Sequence, residues 1–158
     1  MTSLIDPKKY TKTLDLLRSF FLAKNFYEVH TQNRLSILAA CEDPETVATY
    51  NYGGNIWPLP QTGQMWLEYE LLKNPEAPGF FCLSTSYRAE PNPVPGRHET
   101  IFPMFEFEMH GDVHDLKVME IELCEHLGIP LDPENIKTYG EWQDKYSVRE
   151  LDHGHEAA

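Results

Sequence analysis

The order of elements in this 158-residue chain predicts an α/β (α+β) fold, a mainly antiparallel sheet flanked by helices. Three observations predict it. Two β-favouring runs, residues 80–87 and 101–109, follow one another across a proline-rich connection. Helical spacing stands on either side of them, at Leu14, Leu17 and Phe21 and again at Leu116, Met119, Leu123 and Leu127. Twelve prolines and nine glycines cut the chain into short elements, with no internal repeat or low-complexity tract.

Leu14, Leu17 and Phe21 recur at i, i+3 and i+7, one face of a helix, and Lys24-Asn25 offers a polar stop. Phe26 to Thr31 then alternates as a strand should. Residues 41 to 60 read mostly as loop, because Asp43-Pro44, Gly53-Gly54 and Pro58-Leu59-Pro60 are turn signals. Met65 to Leu72 reads as a short helix ended by Lys73-Asn74-Pro75, since a residue before proline is pushed out of helical geometry. The run FFCLSTSY at 80–87 reads as a buried strand. Along Ile101 to Met109, Phe105, Phe107 and Met109 share one face, while Met104, Glu106 and Glu108 share the other. The link from Glu90 to Gly96 joins these two strands as an antiparallel hairpin with a long loop. Asp112 to Leu127 is the clearest helix, stopped by Gly128 and Pro130. Beyond residue 132 the pattern weakens, and Asp152 to Ala158 ends without a stop signal, as a cut chain would.

Hydrophobic residues make up 41% of the chain, enough to bury a core. No run approaches the roughly 18 apolar residues of a bilayer span, and Met1 to Asp6 lacks the basic start of a signal peptide. A soluble, cytoplasmic protein without a membrane partner is therefore expected. Cys41, Cys82 and Cys124 are odd in number and widely spaced, which reads as reduced thiols rather than a zinc site or disulfide framework. The formal net charge of −12, from 25 acidic and 13 basic residues, works against an unaided grip on nucleic acid, which needs clustered Lys and Arg. His110 and His114 are four apart, but Gly111-Asp112 breaks a helix that would align them. The cluster at residues 152–156 reads as a solvated face, so no protein metal site is expected. Trp57, Trp66 and Trp142 read as packing residues, and Glu120, Glu122 and Glu125 as the wet side of a helix.

The segment from Ser86 to Met109 concentrates the chemistry. A polyphosphate nucleotide needs cations for its phosphates, a flat apolar surface for its base and an acceptor for the base's amino group. Arg88 suits bidentate contact with phosphate or carboxylate, and Arg97 and His98 stand across the loop from it. Phe102 can stack on a base, Glu90 can accept from an exocyclic amine, and carboxylates such as Glu106 and Glu108 can hold Mg²⁺.

Tyr87-Arg88-Ala89-Glu90, His98-x-x-x-Phe102 and Phe105-Glu106-Phe107-Glu108-Met109 together resemble motif 2 of class II aminoacyl-tRNA synthetases. The likeness is to the aspartyl/asparaginyl/lysyl-type subgroup and covers roughly residues 10 to 130. Phe26 to Thr31 resembles motif 1, with Gln32 where that strand usually ends in proline. Gln61-Thr62-Gly63-Gln64 resembles the Gln-Ser-Pro-Gln element that meets the bound amino acid. The resemblance implies that residues 1–158 form part of a class II catalytic domain, using ATP with Mg²⁺ to activate an aspartate- or asparagine-like amino acid. It implies that Arg88 is the catalytic residue, on the α-phosphate and the substrate carboxylate. Glu90 would take the adenine amino group, Arg97 and His98 the γ-phosphate, and Phe102 the adenine face. Gln64, Glu106 and Glu108 would meet the amino acid, and motif 1 would make a homodimer. The reaction would yield an acyl-adenylate for protein biosynthesis, through positioning and charge stabilisation rather than a protein nucleophile.

No Gly-x-Gly-x-x-Arg-like segment, the family's motif 3, occurs in the chain. A full class II catalytic domain needs on the order of 250 residues, beyond the usual domain size. Two expectations stand side by side: a piece of an active ligase, or a paralogue that binds nucleotide without adenylation. No anticodon-binding barrel precedes motif 1, so tRNA, ammonia (as in an asparagine synthetase-type paralogue) and a protein amine all stay open as acceptors.

Overall fold

The computed structural model describes residues 5–31, 44–95, 98–131 and 139–146. Gln32, Cys41, Asp43, Arg97 and the 152–156 cluster lie outside the described residues.

Helix α1 spans Pro7–Ala23. The Asp6 carboxylate caps it, accepting from the Lys8 and Lys9 amides at 2.8 and 3.2 Å, and Pro7 occupies the first turn, where no amide is missed. It ends as Lys24-Asn25 implies: Asn25 takes φ 63°, a left-handed geometry that Asn tolerates. The Asn25 and Phe26 amides donate back to the Leu22 and Phe21 carbonyls, both at 3.0 Å. This turn seats Phe26 against Phe21, ring centroids 5.4 Å apart.

Strand β1 is short, Tyr27–Glu28, and pairs in parallel with β4 (Phe80–Tyr87), matching Tyr27 to Phe80 and Glu28 to Phe81. It corrects the longer strand expected over residues 26–31. Past the bond from the Val29 amide to the Phe81 carbonyl, the edge of β4 is bonded instead by the Pro60 and Thr46 carbonyls. The reading of residues 41–60 as mostly loop is also corrected. After a 3₁₀ turn, Pro44–Thr46, strands β2 (Thr49–Tyr52) and β3 (Asn55–Pro58) form a hairpin. Gly53 and Gly54 turn it with φ 61° and 80°, a two-residue turn that needs positive φ at both positions. Because Tyr52 and Ile56 stand exposed on opposite faces, the hairpin lacks the one-sided alternation that marks a strand in sequence.

Helix α2 spans Gln64–Lys73 and α3 spans Val113–Leu127; Tyr139–Tyr146 forms α4. An Asp112 capping box starts α3 and Gly128, at φ 71°, ends it. Strand β5, Ile101–Glu108, pairs antiparallel with the whole of β4, from Tyr87↔Ile101 to Phe80↔Glu108, so the sheet order is β1-β4-β5.

Two clusters divide the faces of this sheet. Phe81, Phe105, Phe107 and Met109 pack under Phe20, Phe21 and Phe26 and against Met119 and Leu123 of α3. Phe21 and Phe81 are fully buried, each contributing on the order of 2 kcal/mol of apolar burial. On the opposite face Phe80 and Cys82 receive Leu67 and Leu71 of α2. That second face belongs to Cys82, Ser84 and Ser86 and to their partners Glu106, Met104 and Phe102. Helix α2 covers its base, and its tip is the site described next. Among the described residues, no helix is long and apolar enough to cross a membrane. Cys82 and Cys124 are free thiols.

Candidate functional site

Arg88, Glu90, His98 and Phe102 line one open cleft of about 580 Å³ at the tip of the β4–β5 hairpin, with Glu99 beside them. The Arg88 Nε donates to Ser86 Oγ at 2.9 Å, and its guanidinium carbon lies 5.9 Å from the Phe102 ring centroid. Ser86 itself is fully buried, so this bond orients the guanidinium from below. The Arg88 amide donates to the Thr100 carbonyl at 2.8 Å, tying the two arms of the loop together.

His98 closes the loop from the other side. Its amide donates to the Val94 carbonyl at 2.9 Å, while its Nδ1 accepts from the Val94 amide at 3.2 Å. An accepting Nδ1 requires the neutral ring to carry its proton on Nε2, leaving that nitrogen a donor. The cleft thus offers a guanidinium, an imidazole N–H, an aromatic ring and the carboxylates of Glu90 and Glu99.

Gln64, Glu106 and Glu108 sit at the base of the same face, lining a second cleft of about 560 Å³ with Asp112 and Leu116. Phe102 and Glu106 are four residues apart on β5, so the two clefts stand about 13 Å apart along the strand. The Glu106 carboxylate is engaged by the protein: it accepts from the Thr62 hydroxyl, from the Gly63 amide at 2.8 Å and from Ser84 Oγ at 2.7 Å. Cys82 Sγ adds a weak contact at 3.9 Å. These bonds press the entry of α2 onto the sheet, and a Cβ on Gly63 would lie 2.6 Å from Cys82 Sγ and 2.9 Å from Thr31 Cγ2. Burial, helped by Glu106, pushes the Cys82 thiol up to about 12, which makes it inert. Burial also raises the Glu108 carboxyl above its usual range, Glu68 adds to this, and a bond from Gln64 opposes it.

The sequence singled out Glu106 for a ligand and gave no sign of this anchoring role. From the element that begins at Gln61 it singled out Gln64 alone, and it passed over Thr46 and Ser86; the polar side chains of Gln61, Thr46 and Ser86 are all buried. Among the described residues, no three His, Cys, Asp or Glu side chains converge as a metal cage would require.

No family model matches the chain, and no curated protein matches it. Solved structures do. An asparaginyl-tRNA synthetase from Pyrococcus horikoshii, complexed with asparaginyl-adenylate, is similar over 72% of this chain with 25% identity and a TM-score of 0.62. An Entamoeba histolytica asparaginyl-tRNA synthetase, also with asparaginyl-adenylate, is similar over 75% of the chain with 21% identity and a TM-score of 0.62. The same enzyme without that ligand in its description gives 22% identity over 75%, with a TM-score of 0.61. The chain has a fold like that of the class II synthetase catalytic domain, and it spans about a quarter (25%) of the length of these enzymes.

Proposed function

We propose that the chain supplies the nucleotide-binding half of an ATP-dependent amino-acid-activating ligase. The observation that carries this reading is the single cleft shared by Arg88, Glu90, His98 and Phe102. Support also comes from the fold, whose relatives are described with asparaginyl-adenylate bound.

In this reading adenine stacks on Phe102 with its amino group toward Glu90. The α-phosphate and the attacking carboxylate meet at Arg88, and the γ-phosphate reaches the Nε2 proton of His98, with Arg97, its neighbour in sequence, contributing. The carboxylate oxygen forms a bond to the α-phosphorus. The bond from that phosphorus to the bridging oxygen breaks, and pyrophosphate leaves with the electron pair. Arg88 neutralises charge on the phosphoryl oxygens as they crowd five-coordinate phosphorus, and holding both reactants removes much of the entropic barrier. The aspartate- or asparagine-like amino acid lies toward Gln64 and Glu108, with Glu106 as its nearest fixed carboxylate. Glu106 or Glu108 would hold Mg²⁺ together with the nucleotide phosphates, and the ion would supply further charge neutralisation there. The acceptor is tRNA, or ammonia in a tRNA-independent amide ligase, in a cytoplasmic setting. A second copy of the chain docks along β1, where Tyr27 is exposed.

The test is pyrophosphate exchange into ATP, run across the amino acids with the longest protein that carries this sequence, since a nucleotide-binding half does not complete adenylation by itself. Exchange with aspartate or asparagine is expected; ATP binding with no exchange for any amino acid would leave the non-catalytic paralogue as the reading. Adding tRNA or ammonia then identifies the acceptor.

A further inference from the structure

We infer that Gln61 and Thr46 form a positioning clasp for Arg88, an inference that rests on the nucleotide reading above. The strand end that carries Arg88 lies beyond the reach of β1, whose pairing with β4 stops at Phe81. There the Tyr87 amide donates to the Pro60 carbonyl at 2.9 Å and the Ala89 amide to the Thr46 carbonyl at 2.8 Å. The Arg88 amide, pointing the opposite way, donates to Thr100. The backbone of Arg88 is therefore fixed on both sides, and on one side by carbonyls from two separate segments of loop.

These two segments flank the β2–β3 hairpin. Outside the hairpin's last bond, from the Leu59 amide to the Ala48 carbonyl at 2.8 Å, they are joined by Gln61 Nε2 donating to Thr46 Oγ1 at 2.9 Å. Gln61 is fully buried and Thr46 is 5% exposed, so water does not compete for this bond. Gln61 Oε1 is buried with no hydrogen-bond partner among the described residues. An apolar side chain would fill the same space without that penalty. Packing alone therefore does not account for an amide at position 61, whereas the tie to Thr46 does. Through that tie the carbonyls of Thr46 and Pro60 keep the spacing that holds Tyr87 and Ala89, and with them the guanidinium between.

Gln61→Leu, Thr46→Val and Thr46→Ser, with Arg88→Ala alongside, test this by ATP titration and thermal melting of the whole chain. Gln61→Leu should keep or raise the melting temperature yet weaken ATP binding about fivefold, the equivalent of one net hydrogen bond. Thr46→Val should weaken binding similarly, and Thr46→Ser, which keeps the hydroxyl, should restore it. Wild-type affinity in Gln61→Leu and Thr46→Val overturns the clasp, and so does an equal loss in Thr46→Ser and Thr46→Val. Unchanged affinity in Arg88→Ala overturns the nucleotide reading instead. If Gln61→Leu does not fold, the two Thr46 variants decide the matter.

Discussion

At its tip the β4–β5 hairpin carries Arg88 and His98, which donate hydrogen bonds, beside the ring of Phe102. At its base the same face carries Glu106 and Glu108, which accept them. The tip is open, and there Arg88 bonds Ser86 and lies over the Phe102 ring. At the base, Glu106 is bound by Thr62, Gly63 and Ser84 at once, and its work is to hold a helix entry. Residues on one face of the hairpin thus do different work: one group lines an open cleft, the other builds the wall.

The largest effect that would break this contrast is at the tip. Arg88→Ala is expected to lower ATP affinity roughly a hundredfold, as the loss of a charge-assisted bidentate contact does, with little change in melting temperature. Calorimetric titration measures it, and retained affinity would show that the tip is not the phosphate site. At the base the expected damage is to stability. Gly63→Ala should destabilise the fold by about 2 kcal/mol, because the new methyl meets Cys82 and Thr31 in a packed wall. Urea unfolding reads that value, and a neutral result would mean that the wall yields easily.

Phe102→Leu sharpens the tip further. Replacing a stacking ring by an aliphatic chain should weaken ATP about tenfold at unchanged stability, measurable by competition with an adenine-free polyphosphate whose affinity stays constant. The smallest effect concerns Glu108. Its folded carboxyl titrates above the ordinary value of 4.5, so its contribution is fully present below that pH and is lost as pH rises through the folded value. Glu108→Gln should therefore be more stable than the parent at about pH 7 and equal to it at about pH 4, by urea unfolding at both. A parent more stable than the variant at neutral pH would reverse the assignment.

Much of the fold was legible because its signals are local. The Leu14/Phe21 spacing, the Lys24-Asn25 stop, the FFCLSTSY run and Gly128 each state their geometry within a few residues. The β2–β3 hairpin was missed because both its faces meet solvent, and β1 was drawn too long because sequence cannot show which neighbour takes the rest of an edge. The tip cleft was legible for a related reason: Arg88, Glu90, His98 and Phe102 lie within one hairpin, whose register places them together. The role of Glu106 was not, since its partners Thr62 and Gly63 come from over forty positions away. The tie between Gln61 and Thr46 was invisible for a similar reason, since polar residues near turns give no hint of being buried against each other.

The pairing of β1 with β4 joins residues about 50 positions apart, whereas β4 and β5 close through a loop of about a dozen. Contact order therefore separates the two halves of the sheet in time. The hairpin that brings Arg88, Glu90, His98 and Phe102 together can zip early from its own turn, with little chain entropy to overcome. The β1 edge, which must wait for α1 to dock, completes the sheet later. A nascent chain would close its tip cleft before it completed its sheet.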